Sequence, residues 1–320
     1  MKVWRDPSEV EPSSEARAVT IGAFDGVHLG HQAVLRLVRE LATARGLRAA
    51  VVTFDRHPAE VVRPESAPKV LTSLDQKLEL LEATGAVDDC LVLPFDEARS
   101  KETADEFVEE LLVGVLRARL VVVGADFHFG YRRRGDVPLL QHMGADLGFE
   151  VLGLGLVASP DGTVAADSGL PYSSTRVRNL LAAGDVAGAA AILGHPHEVR
   201  GVVEHGDRRG RELGFPTANV AVPERICLPA DGVYAGTFVD AAGVERPAAI
   251  SLGRRPTFYE DSGLRLLEAH VLDFDGDLYD QAVAVRFVAH LRAQERFDDV
   301  EALVAQMQRD VAEARRVLRG

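Results

Sequence analysis

Two histidines stand close together where a predicted strand gives way to a predicted helix. His28 and His31 occur in the segment GAFDGVHLGH, after an apolar strand predicted over residues 18–24 and at the start of a helix predicted over residues 29–44. Glycines let the backbone approach a ligand, and a helix N-terminus favours negative charge. Imidazole groups can stabilise charge on a leaving pyrophosphate. The segment predicts a phosphate site for nucleotidyl transfer; the alternative is a helix start with two surface histidines.

A second candidate phosphate site lies in residues 173–178, which read SSTRVR. The hydroxyls of Ser174 and Thr175 can cap a helix and can also face a triphosphate. Arg178 follows one turn later and can bind the leaving phosphates. The alternative interpretation is a capped helix with an arginine that faces solvent.

A third cluster follows a later predicted strand, in residues 124–130, which read GADFHFG. Asp126 can accept hydrogen bonds from an adenine, ribose or flavin group. Gly130 and the arginines at 132–134 can form a phosphate-contacting loop. The alternative is an ordinary turn from a strand into a helix.

The second half of the chain contains another glycine-rich segment, residues 201–219, which read GVVEHGDRRGRELGFPTAN. Gly206, Gly210 and Gly214 can form a backbone cradle for nucleotide phosphates. Thr217 and Asn219 offer two neutral oxygens on one face of a predicted strand, a donor set suited to Mg²⁺. The alternative is a glycine-rich hairpin that leads into a strand.

Together these segments resemble a known family. The pattern His-x-Gly-His is similar to the signature of the nucleotidylyltransferase superfamily. The longer segment FDGVHLGH is similar to the corresponding sequence of bacterial bifunctional riboflavin kinase/FAD synthetases. SSTxxR resembles the second phosphate signature of that superfamily, and GRELGFPTAN resembles the riboflavin kinase signature. The blocks SLGRRPTF, LEAHVLDF, DLY and LRAQERF follow in the expected order, so the resemblance spans nearly the whole chain. Asp280 replaces an expected glycine, and Arg255 replaces a common asparagine.

The resemblance implies a role for particular residues. It makes Glu268 the base that takes the proton from the ribityl 5′-hydroxyl, and it makes Thr217 and Asn219 the ligands of Mg²⁺. In adenylyl transfer it implies charge stabilisation by His28, His31, Ser174, Thr175 and Arg178. It implies further contacts with ATP from Gly22, Phe24, Gly30, Gly206, Arg211 and Gly214, and contacts with flavin from Asp126, Arg292 and Phe297. For Glu268 the alternative is an edge-strand carboxylate paired with an arginine; for Arg292 and Phe297 it is packing at a helix start.

The elements that must position these residues divide into two halves. In the first half, strands are predicted over residues 18–24, 48–54, 89–95, 120–124 and 150–157, with further helices over 73–83 and 103–116. This alternation predicts a doubly wound, Rossmann-like α/β domain whose ligands lie at the carboxyl ends of the strands.

The second half has a different pattern. An alanine-rich helix is predicted over residues 182–193, and short strands over 198–204, 217–220, 232–239, 246–252, 264–272 and 282–289. Six such strands predict a small antiparallel β-barrel, followed by a helix over 300–318. Taken with the family resemblance, this change of pattern implies an adenylyltransferase domain over residues 1–186 and a kinase domain over residues 187–320.

Composition limits the class of protein. A formal net charge of −13 argues against a general nucleic-acid-binding surface, so any phosphate site must be local. There is no apolar run of about twenty residues and no signal-peptide pattern at the N-terminus, so we expect a cytoplasmic protein that does not bind membranes. Two cysteines without metal-ligand spacing indicate neither a disulfide framework nor a zinc site.

The expected function is therefore that of a bifunctional transferase. The C-terminal barrel is expected to phosphorylate riboflavin with MgATP to give FMN. The N-terminal domain is expected to join FMN to the adenylyl group of a second ATP, giving FAD and pyrophosphate. The alternatives are a monofunctional riboflavin kinase with a degenerate N-terminal domain and a non-catalytic flavin sensor or carrier. The expected partners are these small molecules and, for assembly, a second copy of the chain in a homo-oligomer.

Overall fold

The computed structural model describes residues 1–11, 15–155, 172–206, 210, 213–254 and 265–319. Contacts along the chain divide it into two compact units, Met1–Ser173 and Ser174–Gly320. The domain boundary predicted after residue 186 stays a prediction, because a division by contacts does not test the extent of either catalytic domain.

The first unit is built on a parallel sheet. Its strands are β1 (Lys2–Trp4), β2 (Arg17–Ile21), β3 (Arg48–Phe54), β4 (Asp89–Leu93), β5 (Ala118–Gly124) and β6 (Glu150–Leu154). They lie in the order β1-β4-β3-β2-β5-β6, and every neighbouring pair is parallel. The central strands are apolar on both faces because helices cover both. The predicted α/β class is confirmed, and β1 is an edge strand that the prediction lacks.

Helices pack on both faces of this sheet. They are α1 (Leu29–Arg45), α2 (Ala59–Val62), α3 (Leu74–Ala83), α4 (Ala104–Glu106) and α5 (Val137–Leu147). Val51 of β3 packs with Leu35 of α1 and with Leu81 of α3 on one face. The next residue, Val52, belongs to the core on the other face, together with Leu140 of α5. This alternation follows from the two-residue period of a strand.

The helix predicted over residues 103–116 begins as expected but continues with a wider turn. Thr103 caps α4 through a capping box with Glu106. From Phe107 to Val115 the backbone is π-helical, and the Leu116 N–H donates to the carbonyl oxygen of Leu111 over 2.9 Å. A π-helix is rare, and the apolar periodicity does not distinguish it from an α-helix.

The second unit starts with two short helices, α6 (Ser174–Ala182) and α7 (Val186–Leu193). The predicted helix over 182–193 is wrong at its start, because the chain breaks between the two helices. Gly184 has a φ of 79°, a left-handed conformation that ends a helix. Asp185 then caps α7, and its carboxylate accepts from the Gly188 N–H over 2.8 Å. Asp185 is thus the start signal that the alanine-rich pattern obscured.

The six strands of the second unit close into an antiparallel barrel. They are β7 (His197–Glu204), β8 (Ala218–Ala221), β9 (Gly232–Val239), β10 (Glu245–Arg254), β11 (Arg265–Val271) and β12 (Ala282–Arg292). The strand order is β10-β11-β8-β7-β12-β9, with β9 returning to β10. The predicted small barrel is confirmed, and its closure leaves none of these strands at an edge.

The barrel is filled by large apolar side chains, and a long helix lies against its outside. Tyr234, Phe238 and Phe287 are fully buried inside it. The terminal helix α8 (Val300–Arg319) packs against β9, β10 and β12, and its Ala314 is buried with Ala235 and Leu272. Among the described residues, no helix combines the length and the apolar character needed to cross a membrane.

Candidate active sites

The first candidate site is the loop between β2 and α1. β2 ends at Ile21, and the predicted extension to residue 24 is wrong, since Phe24 has a positive φ of 49° that a strand cannot adopt; Gly26 and Val27 also have positive φ angles (79° and 37°). The absence of a side chain at Gly22 makes room for the Phe24 ring, which an added Cβ would approach to 3.2 Å. The chain therefore turns sharply at the carboxyl end of β2.

A buried carboxylate, Asp25, fixes this loop. It is 7% exposed, and its oxygens accept from the Leu71 N–H at 2.9 and 3.1 Å and from the Thr72 N–H at 3.2 Å. The Thr72 hydroxyl in turn accepts from the Gly26 N–H over 3.2 Å. Asp25 is not among the predicted site residues, although an aspartate between Phe24 and Gly26 in a strand-to-helix loop is a local signal for such a role.

His28 and His31 form one unit at the start of α1. His28 is the N-cap: its Nδ1 accepts from the His31 N–H over 3.3 Å. The two rings stack with centroids 3.6 Å apart, and Phe24 packs 5.0 Å from the ring of His31. Gly30 permits this packing, because an added Cβ would come within 3.2 Å of the His28 ring. The predicted pair therefore lies at a helix N-terminus, as the motif required.

The structure keeps His31 uncharged at neutral pH. Burial lowers the pKa of His31 well below its usual value, and the charges of His28 and Lys77 lower it further. The buried Nδ1 of His31 has no hydrogen-bond partner within the described part of the chain. A neutral imidazole with a free ring nitrogen can bind a polar ligand atom.

The other predicted residues of the adenylyltransfer reaction lie just after β5 and in the first turns of α6. Asp126 is exposed just after β5, and its carbonyl oxygen lies 2.8 Å from Nδ1 of His128. Arg133, which has a φ of 57°, approaches the same Nδ1 at 3.2 Å. Ser174 begins α6, with Thr175 next and Arg178 one turn later. The roles of these residues stay predictions.

The second candidate site is a cavity of about 950 Å³ in the barrel unit. Predicted residues that line it are Gly206, Gly210, Thr217, Asn219, Glu268, Arg292 and Phe297. Gly214 does not line it and occupies an exposed turn with a φ of 83°. Arg211 and Arg255 lie outside the described residues. A cavity of this size suits a drug-sized ligand.

Glu268 and Asn219 form a pair inside this cavity. Glu268 lies on β11, directly opposite Asn219 of β8 and Ser251 of β10. The Asn219 amide donates to Oε1 of Glu268 over 3.1 Å, and its oxygen accepts from the Gly206 N–H over 3.2 Å. An added Cβ on Gly206 would overlap the Asn219 amide. β11 lies between two strands of a closed barrel, so the edge-strand alternative for Glu268 is wrong.

The oxygens of this cavity suit a hard cation. Thr217 directly precedes β8, so it lies two residues from Asn219, and both line the cavity. Within the described ranges, no group of three or more His, Cys, Asp or Glu residues could hold a metal. Few protein ligands leave coordination positions for phosphate oxygens and water, which is how Mg²⁺ is bound in nucleotide sites.

Arg292 and Phe297 lie together and both line the cavity, while their predicted contact with flavin stays a prediction. The Arg292 guanidinium lies 5.8 Å from the centre of the Phe297 ring. The same guanidinium forms two hydrogen bonds to Asp310 of α8, which also lines the cavity. Gln294 donates to the Ser251 hydroxyl and to the Leu252 carbonyl oxygen, each over 3.1 Å. Asp310 and Gln294 are not among the predicted site residues.

One departure from the family pattern is explained by the backbone. Asp280, where a glycine was expected, has a φ of 60°. This left-handed conformation favours glycine, and aspartate is among the residues that tolerate it best. Its N–H donates to the carbonyl oxygen of Val203 over 2.9 Å, so the loop keeps a hydrogen bond to β7.

Comparison with known proteins identifies a family for each half of the chain. A FAD synthetase family model matches residues 10–167, and a riboflavin kinase family model matches residues 193–318. The chain is 42% identical to the bifunctional riboflavin kinase/FMN adenylyltransferase of Pseudomonas fluorescens over 98% of this chain and 97% of that protein. It is 38% identical to the protein of that name in Escherichia coli K12, over 94% and 92%.

A solved structure has the same overall fold. It is a crystal structure of a Streptococcus pneumoniae protein described as a macrolide-efflux protein, with a TM-score of 0.84, 29% identity and 98% coverage of both chains. That description applies to that protein; the similarity of fold extends over both units. With two matched domains and relatives of this identity over nearly its whole length, the chain belongs to the family of bifunctional riboflavin kinase/FMN adenylyltransferases.

Proposed function

We propose that this chain makes both flavin cofactors in two steps. The barrel unit transfers the γ-phosphoryl group of ATP to riboflavin, giving FMN and ADP. The N-terminal domain, predicted over residues 1–186, transfers the adenylyl group of another ATP to FMN, giving FAD and pyrophosphate. The observation that supports this proposal is the presence of two candidate sites in one chain. One is the stacked histidines at the start of α1, and the other is the Glu268–Asn219 pair in the barrel cavity.

In the kinase reaction, Glu268 acts as the general base. Its carboxylate takes the proton of the ribityl 5′-hydroxyl as that oxygen bonds to the γ-phosphorus and the bond to the ADP oxygen breaks. The Asn219 amide, 3.1 Å from Oε1, orients the carboxylate. A primary alcohol is a weak nucleophile, so its alignment with the phosphorus supplies much of the rate.

We propose that Thr217 and Asn219 hold Mg²⁺ through their side-chain oxygens. When bound, Mg²⁺ neutralises the charge of the phosphates and aligns them for transfer. The backbone near Gly206 approaches Asn219 closely and is proposed to face the nucleotide phosphates, which Arg211 is proposed to bind. Arg292 and Phe297 are proposed to contact the isoalloxazine ring.

In the adenylyltransfer reaction, no covalent intermediate with the protein is needed. An oxygen of the FMN phosphate attacks the α-phosphorus of ATP, and the bond to pyrophosphate breaks. His28, His31, Ser174, Thr175 and Arg178 are proposed to stabilise the charge that moves onto pyrophosphate. Because His31 is uncharged at neutral pH, it acts as a hydrogen-bonding group rather than as a cation.

The remaining contacts follow from the same proposal. Gly22, Phe24 and Gly30 shape the loop that receives ATP, and Asp126 accepts hydrogen bonds from the bound nucleotide or flavin. The partners are riboflavin, FMN and ATP, and the place of action is the cytoplasm, where ATP is supplied. Assembly into a homo-oligomer stays a hypothesis that size-exclusion chromatography with light scattering can test.

The test is product chromatography with wild-type protein and two variants. Wild-type protein with riboflavin, ATP and Mg²⁺ is expected to produce FMN and then FAD. His28→Ala is expected to stop at FMN. Glu268→Ala is expected to leave riboflavin unchanged but to convert supplied FMN to FAD. Loss of both activities in either folded variant would contradict two separate sites, and FMN as the only wild-type product would leave a monofunctional kinase.

A further inference from the structure

A buried lysine contacts the loop between β2 and α1, and the reaction described above does not use it. Lys77, on α3, is 7% exposed. Its Nζ donates to the Ala23 carbonyl oxygen over 3.2 Å, to the Thr53 hydroxyl over 3.1 Å and to the Phe54 carbonyl oxygen over 2.8 Å. An ammonium group has three N–H donors, so these contacts use all of them.

Lys77 lies in the first turns of α3, and hydrogen bonds fix the start of this helix. Ser73 and Gln76 form a capping box: the Ser73 hydroxyl accepts from the Gln76 N–H over 3.2 Å, and the Gln76 side chain accepts from the Ser73 N–H over 2.9 Å. Lys77 is the next residue. The segment just before the cap, Leu71 and Thr72, is already bound to the Asp25 carboxylate. The base of the lysine side chain is therefore fixed.

The three acceptors of Lys77 belong to the carboxyl ends of two adjacent strands. Ala23 follows β2 and Phe54 ends β3, while the Thr53 hydroxyl also donates to the Ala23 carbonyl oxygen over 3.1 Å. The peptide that carries this carbonyl leads directly into Phe24, whose φ is 49° and whose ring packs against His31. Lys77 thus anchors the strained turn from which the histidine pair is presented.

The charges around Lys77 determine its protonation. Burial lowers the pKa of Lys77 to about 8, while Asp25, Cys90 and Asp55, from the β2–α1 loop, β4 and the end of β3, act in the opposite direction. Lys77 thus remains mainly protonated at pH 7. On the α1 side it faces the histidine pair, and its charge contributes to the lowered pKa of His31.

We propose that Lys77 is a positioning residue for adenylyl transfer, whose ammonium joins the ends of β2 and β3 and thereby holds the turn that presents Phe24, His28 and His31 to ATP. This inference rests on the adenylyl transfer proposed for the N-terminal domain. It assigns no contact between Lys77 and substrate, since all three of its donors are occupied by the protein.

The test is the steady-state kinetics of Lys77→Met, a residue of similar length without donors. We expect the KM for ATP in FAD formation to rise about tenfold or more, since a small misplacement of binding groups is costly. Riboflavin phosphorylation by the same preparation is expected to be unchanged. A variant that was merely less stable would contain fewer active molecules, which lowers the apparent kcat but leaves KM unchanged.

Two further variants keep the test decisive. Lys2→Met, which removes a lysine that is half-exposed on β1, is the matched control and is expected to behave as wild type. Thr53→Val removes the hydroxyl that accepts from Lys77 and donates to Ala23, and it decides the question if Lys77→Met does not fold. A rise in the KM for ATP in Thr53→Val would support the proposal.

Two negative results are distinguishable. If wild-type protein forms FAD and the folded variants retain its KM for ATP, the role of Lys77 is refuted while the proposed function stands. If wild-type protein forms no FAD from FMN and ATP, the proposed adenylyl transfer is refuted, and this role of Lys77 is refuted with it.

Discussion

Arg292 and Asp310 form a bidentate ion pair that joins the end of β12 to the middle of α8. Nε of Arg292 lies 2.9 Å from Oδ1 of Asp310, and Nη2 lies 2.6 Å from Oδ2. Gln306, one turn earlier on α8, also donates to Oδ1 over 2.8 Å. Both members of the pair line the barrel cavity. The terminal helix therefore sets the position of a side chain proposed to contact flavin.

The first prediction concerns this ion pair. Asp310→Ala leaves the Arg292 guanidinium without its partner in a mostly buried place, so we expect a loss of about 2 kcal/mol in the free energy of unfolding of the barrel. We also expect a higher KM for riboflavin, because Arg292 is free to leave its position. Denaturant unfolding and kinase kinetics measure the two effects.

A matched control lies on the same helix. Glu313 pairs with Arg316 on the exposed face of α8, and Glu313→Ala is expected to change neither stability nor KM measurably. An Asp310→Ala variant with a normal KM for riboflavin would show that the ion pair only stabilises the helix.

The second prediction concerns the close approach of the backbone to Asn219. A methyl group at Gly206 would overlap the Asn219 amide, which must then leave Glu268. We expect Gly206→Ala to lower kinase kcat about a hundredfold while FAD formation from FMN is unchanged. Gly155→Ala is the control, because a Cβ there meets no described atom within 4 Å. Kinase activity near the wild-type value in Gly206→Ala would mean that the contact between Asn219 and Glu268 is dispensable.

The third prediction concerns Mg²⁺. Chelation with EDTA is expected to abolish FMN formation, and added Mg²⁺ is expected to restore it. Thr217→Val removes one proposed oxygen ligand with little change in volume, so half-maximal kinase activity should need about tenfold more Mg²⁺. Thr237→Val, a threonine elsewhere in the barrel on β9, is the control. An unchanged Mg²⁺ requirement in Thr217→Val would exclude Thr217 as a ligand.

Local patterns in the sequence were sufficient to predict the main elements. The segment around His28 combines a strand end, glycines and a helix start, and the structure has this arrangement. The six short strands of the second half could be predicted because each alternates or is bounded by turn residues, and closure follows from their pairing.

Interactions between distant residues could not be predicted in this way. Lys77 is an ordinary surface-type residue by local pattern, and its burial depends on acceptors contributed by two strands. Asp310 likewise occurs in a charged, amphipathic helix, and only the fold brings it to Arg292. The break at Gly184 was hidden because the alanines on both sides favour helix.

The last prediction concerns a buried histidine outside both sites. His197, at the start of β7, is 1% exposed, and its Nε2–H donates to the carbonyl oxygen of Cys227 over 2.8 Å. Burial lowers the pKa of His197 to about 4, from a usual value of 6.5. Below pH 6.5 the unfolded chain therefore binds a proton that the folded chain does not.

This difference makes stability fall as the pH decreases from about 6.5 to 4. For His197 alone, linkage predicts a loss of roughly 2 kcal/mol in the free energy of unfolding between pH 7 and pH 5. Carboxylates whose pKa is lowered, such as Glu198, also make the free energy of unfolding fall as the pH decreases. The contribution of His197 must therefore be measured as a difference between variants.

His197→Gln provides that difference, since glutamine keeps an amide donor and does not titrate. The variant is expected to be less stable than wild type at pH 7, because its packing against Phe287 is poorer, but to lose about 2 kcal/mol less between pH 7 and pH 5. Urea unfolding at both pH values measures this. His142→Gln, at an exposed position on α5, is the control and should keep the wild-type dependence. If His197→Gln shows the same dependence on pH as wild type, proton uptake by His197 does not drive the acid destabilisation of this barrel.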